Sequence, residues 1–140
     1  MAEASFANQI DARFPYDDLR VGLGLAEQGC AISSNAAFMV AEELARPPYG
    51  ASAPRSHRLA VLDRIAELDR HPLCPLIVQV TRRQIDGEEL PVAEAISVMK
   101  EIAAYPGQYA ALSIAYFACD DVDGEADAVF EEVRSSWSSP

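Results

Sequence analysis

A pattern of apolar residues occurs twice in this chain at a constant separation. The second set follows the first after 34 residues, and each set is interrupted by a proline-containing corner, His71-Pro72 or Tyr105-Pro106. The first set is Leu62, Ile65, Leu68, Leu76, Val78 and Val80, and the second is Ile96, Met99, Ile102, Ala110, Leu112 and Ile114. Equivalent apolar sets spaced roughly 20–50 residues apart are typical of stacked helical hairpins. The pattern therefore predicts antiparallel helix pairs that expose a surface for a partner.

The whole chain is predicted to be all-α, with about six to seven helices. Residues 91–104 give the clearest amphipathic pattern, because apolar residues follow helical spacing after Pro91. Further helices are predicted over 3–14, after Pro15, from Ser33 or Ser34 to Ala45, over 58–70 with Ser56 as its cap, and over 124–135. In the last helix, the residues expected to face the core are Ala128, Val129 and Val133.

Two segments leave an alternative fold open. Residues 76–81 are rich in β-branched side chains, and residues 110–118 are apolar nearly all round, so each suits a strand or a buried helix. Two strands there would give half of a parallel α/β fold. The helical reading is preferred because 110–118 is rich in alanine, a poor strand residue and a good helix residue. The first 70 residues also contain no comparable strand pattern.

One break divides the chain without creating a second domain. Residues 46–55 hold three prolines and one glycine, which cannot continue a helix. This loop is predicted to separate an N-terminal helical part from a C-terminal hairpin part. Since 140 residues fit a domain of about 100–150 residues, a single domain over 1–140 is expected.

Residues 59–68, followed by the His71-Pro72 corner, resemble the first helix and turn of a HEAT-type repeat. Residues 95–104, followed by Tyr105-Pro106-Gly107 and a buried second helix, resemble another. The resemblance covers about residues 56–137 and rests on apolar spacing; the aspartate and arginine placement between repeats that marks the family is missing. It implies a stacked helical array whose exposed face contacts another macromolecule.

Charge limits the partners that this chain can take. Its formal net charge is −11, and from residue 85 onward twelve acidic residues stand against two basic ones. Residues 55–83 are the exception, with six arginines against three acids. A surface this acidic repels the phosphate backbone, so nucleic acid is not an expected partner. With neither a signal peptide pattern nor a membrane-spanning apolar run, the expected location is the cytoplasm.

The acidic run, residues 120–132, is the predicted partner-binding site. Seven of its thirteen residues are acidic, and they are Asp120, Asp121, Asp123, Glu125, Asp127, Glu131 and Glu132. A protein with a basic surface is the partner that such a run would attract. Part of the run also has a structural explanation, because acidic residues stabilise the first turn of a helix that starts near Asp123 or Gly124.

No metal, cofactor or catalytic residue is predicted. A calcium loop fails in both registers of the acidic run: one puts Cys119 at its first position, and the other puts Ala126 at its glycine position. His71 and Cys74 lack the second ligand pair that zinc needs. The three cysteines, Cys30, Cys74 and Cys119, are expected to be buried free thiols.

The favoured function is therefore that of an acidic helical interaction module and not of an enzyme. One specific form is a small cytoplasmic inhibitor, of the immunity-protein type, that covers the basic active site of a nuclease-type toxin. Two alternatives stay open. One is a small enzyme whose site is assembled from scattered residues such as His57, Asp63, His71 and Cys74. The other is a regulatory or assembly subunit that is stable only as an oligomer.

Overall fold

The computed structural model describes residues 2–13, 18–46 and 53–138, and these residues form eight helices. The helices are α1 (Ala2–Arg13), α2 (Leu19–Ile32), α3 (Ser34–Ala45), α4 (Arg55–Leu68), α5 (Cys74–Ile85), α6 (Val92–Ile102), α7 (Tyr109–Phe117) and α8 (Glu125–Ser138). The all-α prediction is confirmed, with a helix count slightly above the predicted six to seven. The described residues contain no strand, only one isolated bridge between Leu90 and Cys119.

Helix α3 lies at the centre of the bundle. It packs against α1, α2, α4, α5 and α7, while α6 and α8 pack against α7 and against each other. Phe38 of α3 is fully buried, and the core continues through Leu62, Ile77, Met99 and Leu112. One continuous core therefore joins the N-terminal helices to the C-terminal ones, across the break at 46–55.

The two ambiguous segments are both helical. Residues 76–81 belong to α5, and residues 110–117 belong to α7, so the α/β alternative is wrong. Helix α5 tolerates its β-branched residues because Ile77, Val80 and Thr81 are buried against neighbouring helices. Packing of this kind overrides the weak strand preference of β-branched side chains. Pro75 lies in the first turn of α5, where a missing N–H has no cost.

The corner between α2 and α3 depends on two small residues. Ser33 has an extended backbone, and its hydroxyl accepts a hydrogen bond from the Ala36 N–H at 3.0 Å, which caps α3 as predicted. The same hydroxyl donates to Glu3 of α1. A Cβ added to Gly29 would lie 3.2 Å from the backbone of Ala36 and Ala37, so glycine permits α2 and α3 to meet there.

Several predicted helix ends differ from the observed ones. Pro54, not Ser56, is the N-cap of α4, and no side chain caps that helix. Helix α8 continues to Ser138, and Ala126 replaces Ala128 on its buried side, while Ala128 is exposed. Pro15 and residues 47–52 of the predicted loop lie outside the described residues. Among the described helices, none has the length and apolar character needed to span a bilayer.

The apolar repeat is largely a burial pattern. Of the twelve repeated positions, nine are buried, but Leu68 is 37% exposed where its equivalent Ile102 is fully buried. The second helices of the two pairs, α5 and α7, pack against each other, whereas α4 packs on α2 and α6 packs on α8. The resemblance to HEAT-type repeats stays a prediction.

Candidate functional site

Two pairs of aromatic residues connect α7 and α8 on one side of the molecule. The rings of Tyr109 and Trp137 meet edge to face with centroids 5.2 Å apart, and those of Tyr116 and Phe130 lie 4.9 Å apart at 35°. The pairing shows that the two helices run antiparallel. Each pair is seven residues from the next along its helix, which is about 10.5 Å at 1.5 Å per residue. We call these four residues the aromatic ladder.

Parts of the aromatic ladder and its surroundings are open to solvent. Tyr109 is 45% exposed, and Phe117, which follows Tyr116, is 52% exposed. The Trp137 indole N–H donates to the carbonyl of Ala103 at 3.1 Å, which fixes this ring against the end of α6. The guanidinium of Arg46 lies 4.6 Å from the centre of the Phe117 ring, a cation–π contact between α3 and α7.

The loop between α7 and α8 carries the most exposed large apolar residue of the described chain. Val122 is 81% exposed and, with Val92 and acidic side chains of the loop, lines a cleft of about 180 Å³. The Leu90 N–H donates to the Ala118 carbonyl at 2.8 Å and holds the start of the loop. Gly124, with a φ of 77°, makes the turn into α8, a backbone conformation that favours glycine.

The seven predicted partner-binding acids have different roles in the structure. Both carboxylate oxygens of Asp121 accept backbone N–H groups, from Ala126 and Asp127, at 2.9 Å each. Gly124 directly precedes α8 and its carbonyl accepts from the Ala128 N–H, so the predicted cap position near Asp123 or Gly124 is confirmed. The side chain that caps the helix is that of Asp121, which the sequence did not single out for this role. Glu131 pairs with Arg134 at 2.6 Å.

Asp127 contacts the aromatic ladder directly. It accepts a hydrogen bond from the Tyr116 hydroxyl at 3.3 Å, and burial, together with this carboxylate, raises the pKa of the phenol. The phenol thus stays a donor. The remaining four acids are exposed and, within the described part of the chain, have no cationic side chain within 4.0 Å. These four are Asp120, Asp123, Glu125 and Glu132.

The arginines of residues 55–83 are mostly paired inside the molecule. Arg82 pairs with Asp63 at 2.7 Å, and Arg64 pairs with Glu27 and with Glu67 at 3.2 and 2.9 Å. Three others in this arginine cluster are Arg55, which pairs with Asp86, Arg83, which pairs with Glu88 and Glu94, and Arg58, which donates to the carbonyls of Leu44 and Ala53. The sixth, Arg70, is exposed and has no acid within 4.0 Å among the described residues. Most of the positive charge of the arginine cluster is therefore neutralised by acids of the same chain.

The scattered residues of the enzyme alternative are held in structural roles. The Leu73 N–H donates to His71 Nδ1 at 3.0 Å, and the His71 N–H donates to the Asp69 carboxylate at 2.9 Å. Both contacts shape the corner before α5. Burial, and then the charge of Asp69, raises the pKa of the Cys74 thiol to about 11. A neutral buried thiol is a poor nucleophile.

The other residues of that alternative do not join this corner. His57 lies eleven residues before the end of α4, a distance of about 16 Å along the helix, and Asp63 is paired with Arg82. No three His, Cys, Asp or Glu side chains are grouped as a metal ion requires within the described residues. All three cysteines are free; Cys74 is buried as predicted, while Cys30 and Cys119 are half-buried.

Comparison of this chain with protein-family models, with curated proteins and with solved structures found no significant match. The candidate functional site is therefore defined by the geometry of the α7–α8 side. Sequence reasoning singled out the acids there and missed the aromatic ladder. A signal was present, since Tyr109 and Tyr116, like Phe130 and Trp137, are seven residues apart and so share a helix face.

Proposed function

We propose that this chain is a protein–protein interaction module that binds a partner with a basic surface. Its binding face consists of the aromatic ladder, Phe117, Val122 and the acidic run. One observation carries the proposal: exposed aromatic and aliphatic side chains lie beside acids that have no cationic partner in the described part of the chain.

The two kinds of residue have complementary roles in binding. Aromatic residues are enriched in the centres of protein interfaces, where their burial supplies much of the affinity. Unpaired acids on the rim attract a basic partner over long range and mainly raise the association rate. The net charge of −11 acts in the same direction.

Within this class, a small inhibitor that covers the basic active site of a nuclease-type enzyme, as immunity proteins do, is the specific form that we favour. The support is the small size and the acidic binding face. We also propose that the protein acts in the cytoplasm. Assembly of identical copies through this face is disfavoured, because a two-fold interface would bring the same acids of both copies together.

Charge neutralisation at matched positions tests the proposal. The test variant replaces the four unpaired acids: Asp120→Asn, Asp123→Asn, Glu125→Gln and Glu132→Gln. The control variant makes the same change in net charge on other helices: Asp11→Asn, Glu27→Gln, Glu67→Gln and Glu101→Gln. Because Glu27 and Glu67 pair with Arg64, circular dichroism checks that the control variant keeps its helices. Asp121 is left intact in both variants because it caps α8.

The wild-type chain is used to capture its partner from cells of its source, and association rates are then measured at low and high salt. We expect the test variant to associate at least tenfold more slowly at low salt, with a flatter salt dependence, and the control variant to stay near wild type. Equal rates for the test and control variants would contradict the proposal, as would a captured partner that lacks a basic surface.

A further inference from the structure

The aromatic ladder has the repeat of an α-helix. The two aromatic pairs are seven residues apart along α7 and along α8, which is about 10.5 Å. Residues i and i+7 of a third helix lying along the ladder would be separated by the same distance. Amphipathic helices that bind a protein surface use anchor residues at i, i+3 or i+4, and i+7. An apolar side chain at each end of that spacing would reach one aromatic pair.

The two sides of the aromatic ladder differ in charge. Helical geometry of 3.6 residues per turn places Asp127 and Glu131 on the outward side of α8, next to Phe130 and Trp137; both acids are exposed. On the α7 side, the neighbour of the ladder is Phe117, which is stacked with Arg46. Arg134 lies on the same side of α8 and pairs with Glu131 at 2.6 Å, so Asp127 is the acid of this flank that has no arginine partner within the described residues. A helix on the ladder would therefore meet a net acidic flank on one side and an aromatic ring on the other.

We infer that the occupant of the binding face is a basic amphipathic helix of the partner, with an apolar stripe over the aromatic ladder and lysines or arginines toward Asp127. This inference rests on the proposed function and specifies the partner's secondary structure. A groove of about 500 Å³ between α5 and α6 is a less suitable place, because its lining includes only one acid, Glu101, to match a basic helix.

Two synthetic peptides of identical composition and without tryptophan serve as probes. One places leucines at i, i+4 and i+7 with lysines along one flank, and the other has the same residues in a scrambled order. Trp137 is the only tryptophan of the chain and lies in the ladder, so its fluorescence reports binding at this place. We expect the amphipathic peptide to change that fluorescence saturably and to bind at least tenfold more tightly than the scrambled peptide.

Matched variants locate the contact. Tyr109→Ser removes a side chain of the aromatic ladder that is 45% exposed. The control, Ile32→Ser, removes an apolar side chain of α2, outside the ladder, that is 38% exposed. We expect the first variant to lose at least fivefold in affinity for the amphipathic peptide and the second to bind like wild type. Circular dichroism of both variants checks that the helices are retained.

Four outcomes would overturn the inference. Equal, salt-sensitive binding of both peptides would show that the face binds basic chains of any conformation, which leaves the proposed function in place. Unchanged affinity of Tyr109→Ser, or amide NMR shifts confined to the α5–α6 groove, would reject the ladder as the site. Failure of the amphipathic peptide to bind would reject the helix, while the association rates of the acid variants would still decide the proposed function separately.

Discussion

The arginine cluster on α4 and α5 and the acidic run around α8 are the two charged regions of this molecule, and they differ in where their counter-charges lie. Arg64 reaches Glu27 on another helix, and Arg82 reaches Asp63 across the α4–α5 pair. In the acidic run, one of seven acids, Glu131, pairs with an arginine within the described residues. A charged segment in a sequence is thus either internally compensated or left for a partner, and only the fold distinguishes the two cases.

The regions also differ in how apolar residues accompany the charges. Beside the arginine cluster, most large apolar residues of α4 and α5, such as Leu62 and Ile77, are buried, and Leu68 is the exposed exception at 37%. Beside the acidic run, Tyr109, Phe117 and Val122 are exposed. Exposed aromatic residues next to unpaired charges are typical of protein interfaces, whereas buried apolar residues stabilise the fold.

The largest expected effect tests whether the two regions share one core. Phe38 is fully buried in α3, which contacts α4 and α5 of the first region and α7, the helix that packs on α8. Phe38→Ala should therefore lower the free energy of unfolding by about 3–5 kcal/mol, as large-to-small changes in a core do. Urea unfolding followed by circular dichroism and by Trp137 fluorescence should give coincident curves. Separate transitions would show that the regions unfold independently.

A pair of glycine variants tests how α2, the helix whose Glu27 pairs with Arg64 of the first region, packs against its neighbours. Gly29→Ala should destabilise by about 1–3 kcal/mol, because the new Cβ would lie 3.2 Å from the backbone of Ala36 and Ala37. Gly24→Ala should instead stabilise by up to about 1 kcal/mol, since nothing lies within 4 Å and alanine favours the helix. Thermal melts of both variants check this, and a stabilising Gly29→Ala would contradict the close contact.

The sequence predicts helices well where burial follows one clear period, and α6 is the best example. It leaves α5 ambiguous because local preference favours a strand there, and only contacts with distant helices decide the outcome. The same limit applies to the charged regions: Arg64 and Glu27 are 37 residues apart, so their pairing depends on how α2 and α4 meet. The aromatic ladder likewise requires the antiparallel pairing of α7 and α8.

The acids of the run can be separated by their effects on stability. Asp121→Ala removes the acceptor of two backbone N–H groups at the start of α8 and should cost about 1–2 kcal/mol, as the loss of a helix cap does. Asp123→Ala removes an exposed acid and should change stability by less than about 0.5 kcal/mol. Urea unfolding of both variants measures the difference. Similar values for the two would mean that Asp121 does not cap the helix.

The paired charges of the first region should contribute less than that cap. Asp63 and Arg82 are 2.7 Å apart but about half exposed, and exposed ion pairs are typically worth about 0.2–1 kcal/mol. A double-mutant cycle with Asp63→Asn and Arg82→Gln should give a coupling energy in that range, reduced further at high salt. A coupling above about 2 kcal/mol would show that this pair is shielded from solvent.

The smallest expected effect concerns calcium. An acidic loop before a helix can bind this ion when its carboxylate and carbonyl oxygens point toward one place. Here both carboxylate oxygens of Asp121 accept backbone N–H groups. Of the two registers for a calcium loop, one has Cys119 where an aspartate is needed and the other has Ala126 where a glycine is needed. Millimolar calcium, or a chelator, should therefore leave the melting temperature unchanged, because only a ligand that binds the folded state raises it. Magnesium at the same concentration controls for general screening of the acids. A rise in melting temperature with calcium but not with magnesium would show that the loop rearranges to bind calcium. The acidic run would then be a metal site, and its acids would no longer be evidence for a protein-binding face.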